Sequence, residues 1–179
     1  MRPFEAGEQR TIHEWAAWRL VERDFRDPQG NGFSRTFTDS PGVVAIAAVD
    51  ADRRLVMVRQ YRPALDMMLW EIPAGMRDVV GEDPLECAKR ELREETGYVA
   101  ANWRHIGQVA QSPGTSNSVA ELFLASDLQR GEASPQGPEE MSSTIHLVDL
   151  DEAARMVVRG EVINSLAIIG ILRADEMIT

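Results

Sequence analysis

Glu91, Glu94 and Glu95 stand within the run Arg90-Glu91-Leu92-Arg93-Glu94-Glu95-Thr96-Gly97. On a helix, residues at i, i+3 and i+4 lie on one face, so the three carboxylates share a surface. Helix stability does not ask for this. Like charges at i, i+4 repel, and acids near a helix C-terminus oppose its dipole, at a combined cost of roughly 1 kcal/mol. A cation offsets that cost. Hard divalent ions such as Mg²⁺ or Mn²⁺ take a few carboxylate oxygens and complete their shell with substrate phosphates. The plainer alternative is a solvated acidic face, which the triplet alone does not exclude. Arg90, four residues before Glu94, is spaced to pair with it.

The helix that must carry these acids is legible from its ends. Asp83 is a candidate N-cap, Pro84 suits the first turn, and Glu86 is spaced to complete a capping box with Asp83. Leu85, Ala88 and Leu92 form an apolar stripe, and Gly97 supplies the stop. Ahead of it, Val43 to Val49 reads as a buried strand, and the turn Asp50-Ala51-Asp52-Arg53 joins it to Leu55–Tyr61 as a hairpin. Trp70-Glu71-Ile72 reads as a short strand closed by Pro73-Ala74-Gly75. Further strands are predicted at 104–110, 120–125 and 144–148, then helices at 151–159 and 164–174 joined through Gly160. Before the main domain, an amphipathic stretch from Trp15 to Val21 and the turn cluster Asp27–Gly32 predict a strand-turn-strand element. The order implies an α+β fold, a mixed β-sheet sandwiched between α-helices with a small N-terminal β-strand element.

With Gly75 and Glu82 upstream, the segment Gly75 to Tyr98 resembles the Nudix box, a glycine, a glutamate, then Arg-Glu-x-x-Glu-Glu-x-Gly. Glu82 lies eight residues before Arg90, as that pattern requires. Six residues separate Gly75 from Glu82 where the usual box has five; the extra one falls in the loop 76–81, ahead of the helix. Arg59-Gln60-Tyr61-Arg62, Trp70 to Gly75 and Ser112-Pro113-Gly114 are similar to segments of the ADP-ribose pyrophosphatase subfamily; Pro113 lies 16 residues past Gly97, where a proline marks that substrate class. The likeness runs from about Ser40 to Ala174. It departs at Thr115-Ser116-Asn117-Ser118-Val119, where the subfamily has an acid near Ser118 and this chain has none until Glu121.

The resemblance implies a Nudix fold and hydrolysis of the diphosphate bond of ADP-ribose or a related nucleotide sugar, giving AMP and a sugar phosphate. It implies Mg²⁺ or Mn²⁺ held by Glu91, Glu95 and the backbone carbonyl of Ala74, with Glu94 a further candidate. Arg62 would meet a substrate phosphate, with a surface ion pair as its plainer role. Gly75 and Met76 would line the ribose-diphosphate site, Met76 alternatively only packing. Glu82 is read as structural. The proton acceptor is expected on the loop before the last strand, at Glu140 or Glu139, or else at Glu95. By the same resemblance, residues 1–40 would form the N-terminal element, exchanged between subunits of a homodimer, and 41–179 the Nudix domain. The alternatives are another nucleoside diphosphate derivative as substrate, and a sensor that binds ADP-ribose without cleaving it.

Composition narrows the partners. The 179 residues hold 29 acids against 19 Lys and Arg, a formal charge of −10. That field disfavours nucleic acid and leaves a phosphate-bearing substrate dependent on local cations. The single Cys87 forms no internal disulfide and sits at a helical position suited to a buried thiol. No apolar run approaches the ~18 residues that span a bilayer, and the first residues lack a signal-like apolar region, so a cytoplasmic location and no membrane partner are expected.

Overall fold

The computed structural model describes residues 3–132 and 141–178. Among them are β1 (Glu5–Trp15), β2 (Trp18–Arg26), β3 (Gly32–Asp39), β4 (Val43–Ala48), β5 (Arg54–Arg62), β6 (Met67–Glu71) and β7 (Ala74–Met76). They are followed by α1 (Pro84–Thr96), β8 (Tyr98–Ala110), β9 (Val119–Arg130), β10 (Thr144–Asp149), α2 (Leu150–Val158) and α3 (Ser165–Ile178). The chain divides into two compact units, residues 1–42 with 110–119, and residues 43–109 with 120–179.

The first unit is an antiparallel meander, β1-β2-β3. The expected strand-turn-strand is a three-stranded sheet, because the stretch from Trp15 to Val21 is split by a tight turn at Ala16, whose φ is 48°. The turn cluster after β2 forms as read. The Asp27 carboxylate accepts from the N–H groups of Gln29 (2.9 Å) and Asn31 (2.8 Å), and Gly30 takes φ 92°. Thr38 and Ser116 form a parallel bridge that ties residues 110–119 to β3.

The second unit is built around β4. Its neighbours are β7, antiparallel, and β9, parallel, in a mixed sheet ordered β7-β4-β9-β8. Side chains alternate across a strand, and both faces of β4 are buried. Val44, Ile46 and Ala48 pack with Cys87, Ala88 and Leu92 of α1. Ala45, Ala47 and Val49 pack with Leu150 and Ala153 of α2 and Leu166, Ala167 and Ile171 of α3. An unbroken apolar run is what a doubly covered strand requires. Helices thus cover both faces of a mixed sheet, as the order of elements implied.

Three local expectations are corrected. β4 and β5 do not form a hairpin: a lone bridge, Val49 to Leu55, joins them, and β5 pairs with β6 and β10 in a separate sheet. The Ala74-Gly75 pair, read as closing a strand, is itself strand β7 on the edge of β4. α1 begins and ends where its caps predict. The Asp83 carboxylate accepts from the Leu85 N–H at 2.8 Å, and Gly97, at φ 74°, donates its N–H to Arg93 O. Glu86 engages Lys89 Nζ at 2.7 Å rather than closing a capping box. Among the described residues no helix is long and apolar enough to cross a membrane.

Candidate active site

The register of β7 places its backbone beneath α1. Gly75 lies opposite Val44, which faces α1, so Gly75 presents its bare α-carbon to that helix. A Cβ at position 75 would overlap the Glu91 carboxylate. Glycine here gives Glu91 its place over the strand; its backbone need not adopt a left-handed conformation. One residue earlier, the Ala74 N–H donates to Glu95 Oε2 at 3.1 Å. One residue later, the Met76 carbonyl accepts from Cys87 Sγ at 3.5 Å. Ala74, Gly75, Glu91 and Glu95 therefore meet in one place, and Met76 joins them through its backbone.

Arg90 organises the acids. Its Nε and Nη2 donate to the two Glu82 oxygens at 3.0 and 2.9 Å, and its Nη1 donates to Glu91 at 2.6 Å and to Glu94 at 3.3 Å. The sequence spacing anticipated the Glu94 pair; the fork on Glu82 depends on how loop 77–83 folds back and has no helical signature. Hydrogen bonds from Arg90 hold the Glu82 carboxyl below the ordinary 4.5, outweighing a modest burial effect. Reciprocally, Glu82 and then Glu91 keep Arg90 firmly protonated. Glu82 is an anchoring group, in keeping with the structural role read for it. Beside it, burial pushes the Cys87 thiol up to about 12, so it stays protonated and unreactive at neutral pH.

Arg62 lies on the neighbouring sheet, its Nε and Nη2 forked onto the two oxygens of Glu71 at 2.8 and 2.6 Å. Glu71 is 3% exposed, a buried acid at the end of the otherwise apolar strand Met67–Glu71. A buried acid in such a strand signals a required partner, and this was the clue by which Glu71 could have been found. Glu139 and Glu140 lie outside the described residues. Ser118, near which the subfamily pattern has an acid and this chain has none, is buried and donates to Gln111 Oε1 at 3.3 Å. Glu121 instead accepts from Gln108 Nε2 at 2.7 Å and pairs with His105 Nε2 at 2.7 Å, on β9 opposite Val44.

The donor set suits a hard divalent ion: carboxylate and carbonyl oxygens, with Gly75 leaving a cradle that a Cβ would fill. Among the described residues no three His, Cys, Asp or Glu side chains close around one point. An ion bound by Glu91, Glu95 and the Ala74 carbonyl would take its remaining oxygens from water and substrate.

The family description "NUDIX domain" matches residues 39–165. The chain is 38% identical over 176 residues to an ADP-ribose pyrophosphatase of Mycobacterium tuberculosis, covering 98% of this chain and 85% of that one. It is 35% identical over 143 residues to an ADP-ribose pyrophosphatase of Bacillus subtilis, covering 80% and 77%. A crystal structure of an ADP compounds hydrolase superposes with a TM-score of 0.83 over 99% of this chain and 95% of that one, at 17% identity, which speaks to the fold. A helix that holds its acids against a glycine-bearing strand is thus found in a chain related to such enzymes along nearly all its length, and the chain belongs to the Nudix family.

Proposed function

We propose that this Nudix enzyme hydrolyses the diphosphate bond of ADP-ribose, releasing AMP and ribose 5-phosphate. The observation that carries the reading is the seating of Glu91 and Glu95 against Gly75 and Ala74, in a chain 38% identical to an ADP-ribose pyrophosphatase over 98% of its length. Glu91, Glu95 and the Ala74 carbonyl, with Glu94, would hold Mg²⁺ or Mn²⁺. When bound, the ions would screen the diphosphate and acidify a water. The chain's own residues do the rest. Arg90 keeps Glu91 and Glu94 aligned through its 2.6 and 3.3 Å bonds. Gly75 and Met76 line the ribose-diphosphate, and Arg62, oriented by Glu71, meets a phosphate. Glu140, Glu139 or Glu95 takes the proton of the attacking water as it adds in line to phosphorus. The enzyme works in the cytoplasm as a homodimer whose residues 1–40 exchange between subunits.

The test is AMP release from ADP-ribose with Mg²⁺, beside Glu95→Gln and a panel of nucleotide sugars and dinucleotides. Cleavage that needs the metal and falls by about 100-fold or more in Glu95→Gln is the expected outcome. Cleavage of a different diphosphate alone would overturn the substrate. Binding of ADP-ribose without cleavage of anything would make the protein a sensor.

A further inference from the structure

We propose that Arg23 and Arg35 form an anion site on the N-terminal sheet, one that takes the dianionic group of inorganic phosphate or of a phosphate monoester. Both residues belong to the first unit, and the inference does not depend on the hydrolase reading above.

Elsewhere on this sheet the register sets arginine against acid. Arg10 faces Glu22 across β1 and β2, Arg19 faces Asp39 across β2 and β3, and each makes the ion pair its position allows. Arg23 and Arg35 break that rule. They stand directly opposite each other on β2 and β3, so they share a face, cation against cation. Like charges in that arrangement destabilise a sheet. Among the described residues neither makes an ion pair, although the chain holds 29 acids. Their hydrogen bonds within the protein end on backbone carbonyls: Arg23 Nε donates to Gly7 O at 3.2 Å and Arg35 Nη1 to Ser34 O at 2.8 Å. Two positive charges are thus brought together with no countercharge between them.

The rings beside them hold the guanidiniums in place. Phe25 and Phe33, the next pair on the same face, stack with centroids 5.4 Å apart and planes 20° from parallel. Arg23 Cζ lies 5.9 Å from the Phe25 centroid, and Arg35 Cζ 4.7 Å from that of Phe33. Each cation rests on a ring face, which restricts it before any ligand arrives and lowers the cost of binding. Directly opposite side chains start about 5 Å apart at Cβ, so both heads can reach one tetrahedral anion. Access is open: Arg35 is exposed and, with Phe25 and Phe33, lines a groove of about 510 Å³. The chemistry favours phosphate. Guanidinium N–H groups match phosphate oxygens in pairs, and one dianion neutralises both arginines where a carboxylate would neutralise one.

The experiment uses the full chain in EDTA, so that no divalent ion at the box acids contributes. Melting temperature is read in about 20 mM inorganic phosphate and, in a second arm, ribose 5-phosphate, each against chloride at equal ionic strength. The wild type is expected to gain at least about 2 °C. Arg23→Asp sets an acid against Arg35, as the register does elsewhere on the sheet. Its ligand-free melting temperature should hold or rise, while the phosphate-induced gain falls below half. Arg35→Gln should lose the gain in the same way, and if that variant does not fold, Arg23→Asp decides. A folded variant that keeps more than half of the gain reveals the general stabilisation that phosphate gives any protein, and overturns the site. A wild type that phosphate stabilises no more than chloride does overturns it too. With the gain lost in the variants, a larger effect of ribose 5-phosphate identifies the occupant as a phosphate monoester, and an equal or smaller one identifies it as free phosphate.

Discussion

Gly75 and Glu91 set the precision of the site at the scale of single atoms. Position 75 has no positive φ to satisfy, so alanine is conformationally acceptable there. What alanine cannot do is share space with the Glu91 carboxylate, which a Cβ at this point would overlap. Gly75→Ala should therefore act almost wholly through displacement of one metal-binding candidate by about an ångström. Misplacement on that scale is worth about 100-fold in rate. We expect kcat/KM for ADP-ribose to fall by about that factor, while the melting temperature moves by only a few degrees. Steady-state kinetics beside a thermal melt check this; full activity in the alanine variant would show that Glu91 does not need its seat over β7. The spacing of Glu91, Glu94 and Glu95 was readable because helical periodicity is local. Glu71 as the partner of Arg62 was not, because that pairing depends on register and packing.

α1 is held along its acidic face by an ion network rather than by its capping residues alone, and this gives the helix a pH signature. Glu82 keeps its carboxyl below the ordinary 4.5 in the folded state, chiefly through the hydrogen bonds of Arg90. A group whose folded value is depressed stabilises the fold above its unfolded value and loses that contribution as pH falls through the folded one. The wild type should therefore lose melting temperature as pH drops below about 4.5. Glu82→Gln should start about 1–2 kcal/mol less stable at pH 7 and decline less steeply in acid, its gap to the wild type closing as pH falls through the depressed Glu82 value. Differential scanning calorimetry from pH 3 to 7 reads both slopes, and parallel slopes would remove Glu82 from the account. Elements whose signals are local were found from sequence: Asp83 and Gly97 bracket α1 because caps act within a turn. The pairing of β4 was misread. Its run and that of β5 are joined by a turn and look like a hairpin, but β4 loads two different cores and finds its parallel partner in β9, with Val43 beside Ala120. No short window can show a pairing of that separation. Pro73-Ala74-Gly75 likewise looked like a turn because proline and glycine punctuate loops, while an edge strand accepts them.

At the scale of the molecule, the N-terminal sheet carries apolar surface that its own three strands do not cover. All eleven residues of β1 are exposed, among them Ile12 and Trp15, which are 52% and 46% accessible. Phe4, Phe25, Phe33 and Phe37 line an open groove of about 510 Å³ in the same unit. A three-stranded meander with its apolar residues in water is poorly stabilised by itself, and exposed apolar patches rimmed by charge commonly mark association surfaces. The proposed exchange of residues 1–40 between two copies would bury this surface without a new partner and would respect the closed two-fold symmetry that most homo-oligomers adopt. The full chain should then sediment at twice its monomer mass at micromolar concentration. Ile12→Glu, which puts a charge in the middle of β1, should shift the equilibrium toward monomer and lower the melting temperature, since part of each copy's stability would come from the other and would depend on concentration. Sedimentation velocity on both proteins across a hundredfold concentration range separates the cases. A wild type that stays monomeric throughout would leave β1 a solvated strand and end the exchange reading. A dimer indifferent to Ile12→Glu would place the interface on another face of the molecule.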